Sequence, residues 1–349
     1  MSEIKHNSKL HEEMVTWRHH IHKHPELSFK EEMTSDYIAS VLESNNIEMH
    51  RGMAVTGIVA TIHGTKKGKA IGLRADMDAL PIQERNDFSH KSVHEGKMHA
   101  CGHDGHSTML LGAAIYLKQN NNFAGTVHCI FQPAEEGGGG GRVMVEEGIF
   151  EKFPCQAVYG MHNFPGIADG KFAVHDTACM AANETLKITV KGKGGHAAMP
   201  QTTIDPIIIG TKVIDAYQSI VSRYIDPQEP VVLSVTQFHG GDAYNVIPNE
   251  IEIKGCTRCF SPKVQSQLEK QMRQITESIC AAYGANFEFE FEHRYPATIN
   301  TADEAELSGK VAQKISGEEM VNLSPTPGMG SEDFAYMLQE KPGSYIWIG

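Results

Sequence analysis

Residues 104–136 read DGHSTMLLGAAIYLKQNNNFAGTVHCIFQPAEE, and the fold is decided here. Met109, Ala113, Tyr116 and Leu117 recur at helical spacing, so residues 104 to about 119 are predicted as a helix. Turn signals follow, and then an apolar run, residues 126–131, that reads as a buried strand ending in the adjacent carboxylates Glu135 and Glu136. Working outward, runs of the same kind recur at 58–62, 70–73 and 157–161. Strands alternating with a helix imply an α/β sheet that is at least partly parallel. Upstream, Leu10, Met14, Trp17 and Ile21 draw one apolar stripe on a helix that Pro25 would stop, and residues 31–44 carry a second with Tyr37, Ile38, Val41 and Leu42.

From Glu184 the pattern changes. Residues 186–190 read as a strand, 203–224 as a helix, 231–238 and 250–258 as strands, 262–283 as a helix and 286–293 as a half-exposed strand alternating Phe with Glu. This β-α-β-β-α-β order is that of a ferredoxin-like domain, so residues 184–293 are expected as an insertion into a larger α/β domain made of 1–183 and 294–349. No internal repeat is evident, and the only low-complexity stretch is the glycine run 137–141.

Bulk composition excludes several classes. Hydrophobic residues at 40% and charged residues at 21% fit an ordinary globular protein rather than a disordered one. No apolar run approaches the roughly 20 residues a membrane span needs, and the polar start, residues 1–10, lacks the apolar core of a secretory signal. The expectation is a cytoplasmic protein. With 31 Lys and Arg against 43 Asp and Glu, the net charge of −12 repels nucleic acid. Seven scattered cysteines read as thiols or ligands rather than disulfides.

Three of the strands run straight into acidic, His or Cys residues, and open α/β sheets place their sites at the carboxyl ends of strands. The strand at 70–73 leads to Asp76 and Asp78, that at 126–131 to Glu135 and Glu136, and that at 157–161 to His162. Met98-His-Ala-Cys-Gly-His-Asp-Gly-His106 lies between the first two and opens the helix. Cys101 and His103 flank Gly102 on a loop, so both side chains can turn to one point, and thiolate, imidazole and carboxylate are the ligands of zinc-type metals. A lone Cys is usually a small core residue and a lone His a satisfied hydrogen-bonder; as a set at strand ends they point to a metal. Of Glu135 and Glu136, neighbours that face different sides, one can bind metal while the other handles protons. The bland alternative is an acidic pair before a helix near Arg142.

The glycine run lacks the Gly-Lys-Ser/Thr ending of a phosphate loop. Ser107 and Ser331 lie in no Gly-x-Ser-x-Gly elbow, so a serine nucleophile is disfavoured. Cys256 and Cys259 on a strand read as packing. His196 stands on a glycine-rich loop, Gly192 onward, while Asn245 and Arg258 offer a neutral donor and a cationic fork suited to a carboxylate. Either of the latter alone is more often an ordinary turn or surface residue.

The chain resembles the hippurate hydrolase and aminoacylase branch of the metallo-amidohydrolase peptidase superfamily. The motifs that carry the resemblance are Arg18-His-His-Ile-His-Lys-His-Pro-Glu, Gly-Leu-Arg-Ala-Asp-Met-Asp-Ala-Leu-Pro, Met-His-Ala-Cys-Gly-His-Asp-Gly-His, Gln-Pro-Ala-Glu-Glu-Gly, Gly-Met-His-Asn and Gly330-Ser-Glu-Asp-Phe, and they cover nearly the whole sequence. The resemblance implies a dinuclear centre in a metallopeptidase-like catalytic domain, with the insertion acting as lid and dimer interface of a homodimer. It makes Cys101, His103, Glu136 and His162 the ligands of two divalent ions, Mn2+ or Zn2+ first and Co2+ or Ni2+ as further options. Glu135 becomes the base that deprotonates the attacking water, and Asp76 supports the ligands from behind. His196 resembles a lid histidine that stabilises the oxyanion in the partner's site, and Asn245 and Arg258 resemble groups that hold the substrate. The resemblance also expects a further His downstream of a strand at 344–348, so that either the sequence continues beyond Gly349 or the second metal has one ligand fewer.

The implied reaction is hydrolysis of the amide bond of N-acyl amino acids by an activated water with no covalent intermediate. A metallo-dipeptidase and a non-catalytic binding protein on the same fold are the alternatives. The dipeptidase needs an acidic group to receive a free amino terminus, and the binding protein has no use for Glu135 beside a ligand.

Overall fold

The computed structural model describes residues 8–349, so the polar start read above lies outside it for residues 1–7. The chain divides into two units. The first holds the residues up to Cys179 with Ile299–Thr326 and Asp333–Gly349, and the second Met180–Thr298 with Pro327–Glu332.

The first unit begins with α1 (Ser8–Lys23), which buries Leu10, Trp17 and Ile21, and α2 (Glu32–Ser44), which buries Ile38, Val41 and Leu42. The start of α2 is capped from outside: the Glu26 carboxylate accepts the N–H groups of Met33 and Thr34 at 3.2 and 2.8 Å. There follow β1 (Glu48–Met53), β2 (Gly57–His63), β3 (Lys66–Asp76), α3 (His103–Gln119), β4 (Ala124–Gln132), α4 (Gly140–Glu146), α5 (Ile149–Lys152), β5 (Ala157–Asn163), β6 (Phe172–Val174) and β7 (Ala178–Met180).

The second unit runs β8 (Ala182–Lys191), β9 (Gly195–His196), α6 (Pro206–Ser219), β10 (Val231–His239), β11 (Val246–Ile247), β12 (Glu250–Cys259), α7 (Pro262–Tyr283) and β13 (Asn286–Tyr295). Its sheet has the order β10-β12-β8-β13 with every pair antiparallel. Burial alternates along β8 and β12, and their inward Leu186, Ile188, Val190, Ile251 and Ile253 share one core with Ile209, Val213 and Tyr217 of α6 and Leu268 and Met272 of α7. The helix read at 203–224 is shorter than its apolar pattern. Asp205 caps it, accepting the Ile207 N–H at 2.9 Å, Pro206 takes the first helical position, and residues 220–224 widen into a π turn.

The chain returns through β14 (Thr298–Ile299), α8 (Ala302–Ser316), β15 (Val321–Asn322), α9 (Ala335–Glu340) and β16 (Gly343–Ile348). The first unit's sheet has eight strands in the order β1-β2-β4-β3-β5-β16-β6-β15. Its central four, β4, β3, β5 and β16, are mutually parallel. The carboxyl ends of β3, β4 and β5 therefore lie on one edge, and the register places Asp76 beside Gln132 and Arg74 beside Gly160. Two residues past Gly160, His162 is level with Asp76. Parallel pairing thus brings the three strand-end motifs together, although they are far apart in sequence.

Candidate metal centre

Asp76 closes β3 and is fully buried. Its Oδ2 accepts from Arg74 Nη1 at 2.7 Å, and its Oδ1 lies 2.6 Å from His106 Nδ1. Arg74, itself buried, also donates to Gln132 at 2.8 Å and to Asp333 at 3.0 Å, so this interior cation is flanked by two carboxylates. His106 is fixed on its other side, where Nε2 accepts the Asn163 N–H at 3.1 Å.

The loop into α3 depends on glycine. Gly102 has φ +91°, and a Cβ there would lie 2.0 Å from Asn163 Oδ1, so only glycine lets the backbone pass and turn Cys101 and His103 toward one point. Cys101 Sγ lies 3.5 Å from His162 Nε2. His103 Nε2 lies 3.9 Å from Glu136 Oε1 and 3.8 Å from Asp76 Oδ2. Behind it, His103 Nδ1 is 3.3 Å from Asp78 Oδ1, an ion-pair distance that sets a carboxylate on the side of the imidazole away from Glu136.

Ligand-type atoms of Cys101, His103 and Glu136 lie within 4.8 Å of one another, as do those of Asp76, His103, His106 and His162. Two ligands of one tetrahedral ion at 2.0–2.3 Å from each stand roughly 3.3–3.8 Å apart. The observed separations come close to this. Both ring nitrogens of His103 are buried without a hydrogen-bond partner, and Nε2 faces two carboxylates. A thiol, imidazoles and a carboxylate around such an orphaned nitrogen fit a divalent ion of the zinc type.

The electrostatics agree. Burial opposes a charge on His103, but Asp76 and Asp78 outweigh it and hold its pKa well above the ordinary 6.5. Burial likewise opposes ionisation of Asp76, yet His103 and Arg74 keep it well below the usual carboxylate range. Glu136 and the Cys101 thiol are both pushed up, chiefly by burial. The raised His103 pKa reflects the negative charge of Asp76 and Asp78 beside it, a setting in which a cation is favoured.

Glu135 is buried, and its N–H donates to Asp78 Oδ1 at 3.0 Å. The structure thus brings Cys101, His103, Glu136, His162 and Asp76 into one cluster, with Glu135 on the same turn as Glu136. His196, Asn245 and Arg258 belong to the second unit. There the exposed His196 on β9 stands opposite Val246 of β11, its Nδ1 accepts the Ala198 N–H at 3.1 Å, and the Ala197 N–H bonds the Asn245 carbonyl at 2.9 Å. Half-buried Arg258 on β12 bonds the Asn183 side chain and the Thr257 carbonyl. Two participants had gone unassigned. Asp78 follows Asp76 by two residues at a strand end, and His106 follows His103 by three on a helix, so their spacings alone place each pair on a shared face.

Comparison with known proteins identifies the family. Residues 72–349 match the model of peptidase family M20/M25/M40. Hippurate hydrolase of Campylobacter jejuni is 39% identical over 331 residues, which is 95% of this chain and 86% of that protein. Thermostable carboxypeptidase 1 of Saccharolobus solfataricus is 40% identical over 341 residues, 96% of this chain and 85% of that one. A crystal structure described as a dinuclear metal-binding peptidase of the M20 family from Bacillus subtilis is 33% identical and superposes with a TM-score of 0.86 over 98% of this chain and 90% of that chain. The chain is a hydrolase acting on amide bonds, and it belongs to peptidase family M20/M25/M40.

Proposed function

We infer that the chain is a metal-dependent amidohydrolase that cleaves the amide bond of N-acyl amino acids, releasing a carboxylate and a free amino acid. The observation that carries this reading is buried Glu135 next in sequence to Glu136, which itself groups with Cys101 and His103, since a purely structural ion site has no use for a second carboxylate. Hippurate, the substrate in one relative's name, is an N-acyl glycine, and a carboxypeptidase substrate ends in the same group, an amide followed by a free α-carboxylate.

In this reading Cys101, His103, Glu136 and His162 hold two divalent ions, Mn2+ or Zn2+ before Co2+ or Ni2+. Such ions, when bound, lower the pKa of water toward about 7 and polarise the carbonyl. Glu135 takes the proton of the attacking water and delivers it to the leaving nitrogen. Asp76 and Asp78 fix His106 and His103 from behind. His196 donates to the developing oxyanion, and Asn245 with the Arg258 fork holds the substrate carboxylate. The second unit serves as lid and as the interface of a homodimer that carries His196 to the partner's site. The proposed setting is cytoplasmic; among the described residues no helix is long and apolar enough to cross a membrane.

A second reading, carboxypeptidase action on peptides, is favoured by the relative of that name. A panel of hippurate, N-acetyl amino acids, a free-amine dipeptide and the C-terminal amide of hippurate separates the readings. The expected result is hydrolysis of the first two, with the amide rejected roughly 100-fold or more in kcat/KM, because a site built to pair a charged group rejects its absence. Faster turnover of the dipeptide than of hippurate would move the assignment to peptides, and turnover of none would contradict both.

A further inference from the structure

The turn that presents Glu135 and Glu136 is held in a backbone conformation it would not adopt alone. Ala134 has φ +56° and Phe29 φ +61°, the left-handed region that residues with a Cβ disfavour. One oxygen holds both: Glu31 Oε1 accepts the Phe29 N–H at 3.0 Å and the Ala134 N–H at 2.9 Å. Its other oxygen accepts from the Thr56 hydroxyl at 2.8 Å. The next two N–H groups go to Asp78, Glu135 to Oδ1 and Glu136 to Oδ2, each at 3.0 Å. Three successive N–H groups are therefore taken by two buried carboxylates.

The surroundings leave this turn no slack. A Cβ at Gly138 would lie 2.7 Å from Ala134 Cβ and 2.9 Å from the Phe29 ring, so the two left-handed residues meet across a gap only glycine fits. Glu31 also occupies the N-cap position of α2 without capping it by its side chain, a task that Glu26 performs. Its carboxylate, fully buried at 0% exposure, is thus committed to Phe29, Thr56 and Ala134.

We propose that Glu31 is a positioning residue for the paired glutamates: by holding Ala134 and Phe29 in left-handed backbone it aims Glu136 at the cluster and sets Glu135 beside it. This rests on the reading of Glu136 as a ligand and Glu135 as the proton carrier. Glu31 acts from 103 residues away, through the backbone rather than through either side chain.

The test compares Glu31→Ala, Glu31→Gln and the pair Glu31→Ala with Ala134→Gly, reading kcat and KM on hippurate and, separately, Mn2+ affinity of metal-stripped protein by calorimetry. For folded Glu31→Ala the expected changes are a kcat lower by about ten-fold or more with KM nearly unchanged, and Mn2+ binding about ten-fold weaker, the scale of one left-handed residue released. Glu31→Gln should stay near wild type, because a carbonyl oxygen can accept both N–H groups while the Thr56 hydroxyl turns to accept from the amide. Ala134→Gly should restore part of the loss, since glycine adopts positive φ without strain; a purely structural role for Glu31 would give no such rescue. If Glu31→Ala does not fold, Glu31→Asp replaces it with the same expected loss, its carboxylate being one methylene too short. Wild-type kcat and Mn2+ affinity in the folded variant would overturn the proposal. If the wild type does not hydrolyse hippurate, the substrate reading fails, and Mn2+ affinity alone decides for or against Glu31.

Discussion

His22 shows how one residue ties the N-terminal helix to the metal loop. Its Nδ1 lies 3.0 Å from Asp104 Oδ2 and its Nε2 3.1 Å from Glu84 Oε1, and Arg18 Nε donates to the same Asp104 oxygen at 3.1 Å. Asp104 stands in the first turn of α3, where a negative charge suits the helix dipole. The bond to Asp104 raises the His22 pKa above 6.5 against the opposing effect of burial. The folded state thus holds this proton more tightly than the unfolded chain. The stabilisation is fully present below pH 6.5 and is lost as pH rises through the folded pKa. The Tm difference between wild type and His22→Gln, followed from pH 6 to pH 9, should shrink; a difference constant across that range would contradict the assignment. None of this was legible locally. The partners lie 82 and 62 residues away, and in the sequence His22 is one histidine among several in the Arg18-His-His-Ile-His motif.

At the scale of elements, legibility followed hydrophobic contrast. Residues 262–283 were read as a helix and form α7, Pro262–Tyr283, because Val264, Leu268, Met272, Thr276 and Cys280 repeat every four residues along its buried face. β1 (Glu48–Met53) was missed, being an edge strand with mostly exposed residues and no alternation to detect. α8 was missed for a different reason: its buried residues are the small Ala305, Gly309 and Ala312, while Leu307, Val311 and Ile315 are exposed, so size rather than apolarity marks the packed side. The Cys101-Gly102-His103 turn is an element of its own and gives a sharp prediction. Gly102→Ala adds both the strain of a left-handed residue, about 1–2 kcal/mol, and a collision with Asn163, which supports His106. Lower Tm and weaker metal binding together are the expected result, measured by thermal melting and metal titration. Unchanged metal affinity would show that the loop tolerates the shift and that Gly102 does not set the ligand geometry.

For the whole molecule, the strand-end rule was the decisive clue, and parallel pairing of β3, β4 and β5 explains why it worked. Asp76, Cys101, His103, Glu136 and His162 come together because their strands and loops end on one edge of one sheet. What the sequence hid was Glu31, since a carboxyl group that accepts N–H groups from distant turns leaves no periodic trace, whereas the spacings of Asp78 and His106 were visible and lacked only a role. The central claim is that Glu136 binds metal while its neighbour Glu135 moves the proton. Its most direct test is Glu135→Gln, with bound metal measured by elemental analysis and kcat measured on hippurate in the same preparation. Metal content should match wild type while kcat falls by roughly 100-fold or more, the usual contribution of a proton carrier. Near-normal kcat with metal in place, or loss of metal along with activity, would contradict the division of roles between the two glutamates.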